Sequence, residues 1–256
     1  MKKLSSLALV VCLLAAGSAN AQWATLKGQF LYVKSGTKVP AEAKLNPTED
    51  VEVCGKNQLF DEQLVINDEN RGIANVVMWV YKPKGKAHPD YEKTASATIK
   101  MDNAGCRFEP HVATIRTGQT FEVGNSDSVG HNSLINMLKN DSVNPIIPAQ
   151  SKVEFKFPKS EIIPVKVSCS IHPWMQGIVL VQDHPYMAVT DKDGKFEIKN
   201  LPEGKHTLKV WHEKSGYIQT VSIDGKQAKW KKGRYALNIK KDEEHEFVID
   251  PKVFAK

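Results

Sequence analysis

Hydrophobic residues in this chain recur at every second position, and no stretch carries the spacing of a long amphipathic helix. Strand-like runs occur at LKGQFLYV (26–33), ANVVMWVY (74–81), QTFEVGN (119–125), KVEFKF (152–157), IPVKVSC (163–169) and GIVLVQ (177–182). A second series follows at KFEIK (195–199), HTLKVWH (206–212), YIQTVSI (217–223) and HEFVI (245–249). Turn residues separate them at Asp191 to Gly194, Leu201 to Gly204 and Asp224-Gly225. Short strands joined by turns at this pace predict an all-β chain built of β-sandwiches.

The first residues read differently. Two lysines, an apolar run from about Leu7 to Ala16 and the small residues Ala19 and Ala21 have the layout of a secretory signal peptide over 1–21. That run is too short for a comfortable membrane span, and no later stretch approaches one, so no transmembrane segment is expected. Removal of 21 residues leaves 235, room for one large domain or two small ones, and takes the net charge from +6 to +4. This mild excess does not fit a dedicated nucleic-acid binder. Part of it lies in GKQAKWKKGRYALNIKK (225–241), which reads as a solvated charged face.

Setting Cys12 aside with the signal leaves Cys54, Cys106 and Cys169. In an oxidising compartment two can pair and one is left over. Sequence alone does not fix which two. Cys169 has metal-binding types for neighbours, which makes Cys54–Cys106 the natural disulfide. The polar segment 82–96 reads as a loop or linker, and 182–185 as a second boundary. One short echo occurs, His172-Pro-Trp-Met175 returning as His184-Pro-Tyr-Met187.

The run CSIHPWM (169–175) places Cys169, His172 and Met175 three apart between two expected strands. A thiolate, two imidazoles and a weak thioether together suit copper, whereas zinc usually takes four strong ligands and has little use for methionine. One tight loop offers three of these donors, stiffened by Pro173. The second imidazole has to come from another strand end, and His131 in EVGNSDSVGHNSLI (122–135) is the candidate. Asn132 beside it can hydrogen-bond to the backbone near Ser170 and tie the two ligand loops together. His184 and Met187 have no matching cysteine and read as structural residues at a junction. His88, His111, His206, His212 and His245 read as loop, packing or surface residues.

NSDSVGHNSLI followed by VSCSIHPWMQGIVLVQ resembles the copper site of the cupredoxins, with a Cys-x2-His-x2-Met loop most similar to amicyanin. The resemblance covers roughly 97–182 and includes FEPHVATIRTGQTFEVGNSD ahead of the histidine. It departs at Val167, where amicyanin-type sequences tend to carry an aromatic, and at the bulkier Trp174. It implies a Greek-key sandwich with one mononuclear type 1 copper held by His131, Cys169, His172 and axial Met175. It also implies that His172 is the more exposed ligand, with Pro173 and Trp174 on the surface a redox partner approaches.

The stretch 184–223 resembles transthyretin-like, carboxypeptidase-regulatory-type β-sandwiches through VTDKDGKF (189–196), LPEG (201–204) and the Gly216-Tyr217 pair. Its expected opening strands are missing just before 184, but similar ones occur in LKGQFLYV and GIANVVMWVYK. The domain expectation is therefore a signal at 1–21, an N-terminal β segment at 22–96 that completes the C-terminal sandwich, a cupredoxin at 97–182 and a transthyretin-like module at 183–256. The functional expectation is a periplasmic one-electron carrier rather than an enzyme, serving an unidentified redox donor and acceptor. The chain has no His-x-His pair of the kind multicopper oxidases use. Copper storage or delivery, and a non-redox scaffold or adhesion module, are the alternatives.

Overall fold

The computed structural model describes residues 22–33 and 37–255; the expected signal segment and Cys12 lie outside the described residues. The fold is all-β. Among the described residues the one α-helix is a single turn, Val51–Cys54, with short 3-10 turns such as Pro89–Thr94 inside the expected linker. No helix among them is long and apolar enough to cross a membrane.

Strands from both ends of the chain meet in one pair of sheets. In the first, the order is Lys195–Pro202, Trp23–Tyr32, Glu243–Ile249, Thr220–Ile223, Lys226–Lys229. In the second, it is Met187–Val189, Val77–Val80, Gly204–His212, Gly216–Tyr217, with Arg234–Ile239 also pairing Gly204–His212. Phe30, Phe196 and Phe247 from the first sheet and Met78, Val80, Leu208 and Val210 from the second fill the core between them. The turn at 191–194 is closed by the Asp191 carboxylate, which accepts from the N–H groups of Asp193 and Lys195. Gly194 there has φ of 74°, and a Cβ would sit 2.2 Å from the Phe30 carbonyl oxygen, so only glycine fits.

The middle of the chain makes a second pair of sheets. One runs Ser151–Phe155, Thr120–Asn125, Thr98–Asn103, Phe108–Glu109; the other runs Val112–Arg116, Gln176–Gln182, Val165–Ser168, Leu134–Ile135. Met101, Phe121, Val123, Val167 and Val179 pack between them. Residues 45–59, although early in the chain, add Leu45, Val53, Cys54 and Leu59 to this second core, and the Cys54–Cys106 disulfide joins them to it.

The two units share a third cluster. Val77 and Trp79 project away from their own core and meet Val112, Ile178 and Leu180 of the other unit, flanked by Trp211 and Tyr217. This explains why NVVMWVY and GIVLVQ read as unbroken apolar runs: both faces of these strands are buried. Each large apolar side chain so buried is worth about 1.5–3 kcal/mol. At the edge of this contact His111 stands between Glu213 (2.6 Å) and Glu62 (3.8 Å).

Candidate metal centre

Cys169 follows the last residue of Val165–Ser168, a strand that pairs with Gln176–Gln182 beyond the loop. The loop closes on itself: the Met175 N–H donates to the His172 carbonyl (2.9 Å), and the Cys169 N–H donates to the Met175 carbonyl (3.2 Å). His131 begins a two-residue strand paired with Ile146–Ile147. These elements bring His131, Cys169 and His172 together, with one donor atom from each within 4.8 Å of the others. The two imidazole ring centres are 4.6 Å apart, and His172 Nδ1 is 3.7 Å from Cys169 Sγ. Met175 is 1 % exposed and belongs to the same buried cluster as Cys169.

Both imidazoles are held from behind. His131 Nε2 is 2.9 Å from the Asp127 carboxylate, and His172 Nε2 is 2.9 Å from that of Asp50. A carboxylate accepts only, so Nε2 carries the proton in each ring and Nδ1 is left with its lone pair. His131 Nδ1 is buried and has no hydrogen-bond partner. Burial depresses the His131 pKa, against the upward pull of Asp127 and with a further push down from His172, which keeps that lone pair available. The Cys169 sulfur accepts from the N–H groups of Asn132 (3.5 Å) and His172 (3.4 Å) and lies 3.3 Å from the Asn132 side-chain oxygen. One buried cysteine sulfur and two preoriented imidazole nitrogens fit a soft or borderline metal ion.

Asn132 ties the ligand loops. Its side-chain oxygen accepts from the Ser170 N–H (2.7 Å) and the Ile171 N–H (3.3 Å), while its amide nitrogen donates to Asn144 (2.6 Å) and Ser170 Oγ (3.3 Å). Trp174 is half-buried, its ring 5.1 Å from His172 and its N–H donating to the Cys106 carbonyl (3.1 Å). Pro173 is exposed.

One expectation is corrected. His172 is fully buried, because Asp50 and the turn behind it cover the ring edge that the resemblance puts at the surface. Asp50 and Asp127 are the site residues that sequence reasoning missed. Asp127 sits four residues before His131 within the quoted NSDSVGH; Asp50 lies 122 positions from its partner and leaves no local signal. His184 and Met187 lie at the junction of the two units, away from these donors.

No protein-family model and no curated protein matches this sequence. Among solved structures, a Cu-containing nitrite reductase (NirK) from Thermus scotoductus SA-01 aligns with 33% of this chain and 22% of its own, at TM-score 0.31 and 24% identity. The chain thus spans about a fifth of that protein's length. A novel purple cupredoxin from Nitrosopumilus maritimus aligns over 34% of this chain and 100% of its own, at TM-score 0.28 and 27% identity. A mutant amicyanin in its reduced state aligns over 41% of this chain and 98% of its own, at TM-score 0.31 and 18% identity.

Proposed function

We propose that this chain is an exported copper protein that carries single electrons between redox partners and is not an enzyme. The observation that supports this most directly is the donor set: a free buried cysteine and two histidines whose outer nitrogens are both fixed by carboxylates. His131 Nδ1, Cys169 Sγ and His172 Nδ1 would hold one copper, with Met175 as the weak axial donor. Copper so bound supplies a one-electron change of charge. Asp127, Asp50 and Asn132 fix the ligands from outside, so the donors keep their arrangement when that charge changes. A pocket closed by protein leaves no open position for a substrate, which suits a carrier.

With His172 covered, the surface for a partner is Pro173 and the half-buried Trp174, whose ring lies 5.1 Å from that of His172. We assign the copper unit to 97–182 with the segment 45–59 packed on it, and to the strands Trp23–Tyr32 and Val77–Val80 together with 183–256 a transthyretin-like sandwich that acts as scaffold. The Cys54–Cys106 disulfide fits an oxidising, exported setting.

The test is an optical and EPR spectrum of mature protein loaded with Cu(II), beside a Cys169→Ser control. The expected result is an intense blue thiolate-to-copper band that the control lacks. A colourless protein that retains only Cu(I) would replace electron transfer with storage or delivery, and one that binds no copper would leave a scaffold.

A further inference from the structure

The copper site uses none of a group of side chains that the sheet register gathers on the other unit. Val77–Val80 and Gly204–His212 pair so that Trp79 stands opposite Lys209, and Lys209 in turn stands opposite Arg234. Alternation puts Tyr81 on the same face as Trp79. Part of this face packs against the copper unit, and where that packing ends a cavity of about 650 Å³ opens between the two units.

Lys209 lines the cavity, is 8 % exposed, and has no carboxylate partner among the described residues. Its ammonium donates to the Tyr217 hydroxyl (2.9 Å) and lies 4.9, 5.0 and 5.6 Å from the ring centres of Tyr81, Tyr217 and Trp79. Arg234 and Lys82 lie 5.1 and 5.5 Å from the Tyr81 ring, and neither forms an ion pair among the described residues. Three cations therefore gather around one tyrosine. The acids on the cavity wall form no ion pair with them among the described residues. Glu161 is engaged by the N–H groups of Leu138, Lys139 and Asn140, and Asp183 is exposed on the rim without an ion pair among the described residues.

Two more polar groups on the same wall lack partners. Ser160 Oγ is buried and bonds to nothing among the described residues. His184 accepts the Tyr186 N–H at Nδ1, so its proton sits on Nε2, which is buried with no acceptor in hydrogen-bonding geometry; the Val80 carbonyl is near the ring but outside that geometry. A buried ammonium without a counter-ion, an N–H without an acceptor and an unpaired hydroxyl all call for the same thing, an oxygen atom carrying negative charge. Clefts at domain junctions with aromatic walls and a few convergent polar groups are where small ligands bind.

We infer that this groove binds a small oxyanion, the carboxylate or phosphate group of a metabolite, between Lys209, Ser160 and His184, with Lys82 on its wall and Arg234 beside it over the Tyr81 ring. The site is independent of the metal centre, so its failure would leave the copper reading untouched. The experiment titrates the metal-free mature protein with sodium phosphate and separately with sodium succinate at constant ionic strength, by calorimetry and by the ¹H–¹⁵N signals of the His184 ring. Saturable binding of either probe at millimolar concentration or below, weakened about tenfold or more in Lys209→Met and in Arg234→Gln, is the expected result. Binding of phosphate alone or of succinate alone assigns the ligand's charged group. Arg234 is exposed, so its variant carries the test if Lys209→Met does not fold. The proposal is overturned if neither probe saturates below about 10 mM, or if folded variants bind as the parent does.

Discussion

The Asp50 carboxylate lies 2.9 Å from Nε2 of His172, although 122 positions separate them in the chain. Asp50 takes up a left-handed conformation, φ 44°, just ahead of the single helical turn that ends in Cys54. Cys54 is bonded to Cys106, and the Cys106 carbonyl accepts the indole N–H of Trp174 in the ligand loop. A strap formed by residues 45–59 is thus fastened beside the pocket and reaches across it to hold one candidate ligand, His172.

That contact predicts a loss of metal affinity when it is removed. Asp50→Ala should weaken copper binding about 10- to 100-fold, the usual cost of deleting a partner that orients a ligating histidine. Asp50→Asn keeps an acceptor oxygen and tolerates the left-handed backbone, so it should lose less. Competition with a chelator of known affinity measures both. Equal affinities for the parent and the alanine variant would mean that Asp50 covers His172 without orienting it.

The disulfide should contribute chiefly to stability. It spans 52 positions, and closure of a loop that long stabilises a fold by about 4 kcal/mol in the chain-entropy treatment. The Cys54→Ala/Cys106→Ala double variant is expected to lose an amount of that order in urea unfolding. It should also become sensitive to proteolysis around 45–61, since the strap would then be held by the packing of Leu45, Val53 and Leu59 and by the single Asp50 contact. A change well below about 1 kcal/mol would show that this packing alone holds the strap.

Asn132 supports the loop carrying Cys169 through two backbone N–H groups. Asn132→Ala leaves those part-buried donors without their acceptor, which costs at most about 1–3 kcal/mol, the penalty for a fully buried group. Asn132→Asp keeps the acceptor and loses the donor to Asn144. The alanine variant should therefore be the less stable, and its copper spectrum the broader. Thermal unfolding and EPR linewidths are the measurements.

What could be read beforehand follows the range of each interaction. Cys169, His172 and Met175 share one short loop, so their spacing alone brings them close, and the odd cysteine count together with the metal-binding neighbours of Cys169 points to the Cys54–Cys106 bond that the structure contains. Trp23–Tyr32 and Val77–Val80 carried enough alternating or continuous apolar character to be recognised as strands. Arg234–Ile239 was hidden: its inward Tyr235, Leu237 and Ile239 alternate cleanly, but lysines and arginine around them made the segment read as a charged face. Thr98–Asn103 escaped because its outward residues are polar and it follows a polar loop. Asp50 had no signature at all, since its role depends on where a strap with little regular structure lies after folding. The exposure expected for His172 failed for the same reason.

Three buried histidines set opposite limits on pH stability. Burial alone would lower the His111 pKa, but hydrogen bonds and charge from Glu213 and Glu62 outweigh it and raise the value to about 9. A raised pKa means that the protonated form is favoured by folding, so this stabilisation is complete below the unfolded value near 6.5 and is lost as pH rises through about 9. His184 and His212 behave in the reverse sense. Burial lowers each to about 4, so folding favours their neutral forms, and stability is lost as pH falls from about 6.5 toward 4. Metal-free protein should therefore be most stable close to about pH 6.5–7, falling on both sides. Glu213→Gln should flatten the alkaline limb and leave the acid limb in place. Urea midpoints between about pH 4 and 10 read both limbs, and an alkaline limb unchanged in that variant would remove the His111–Glu213 pair from the account.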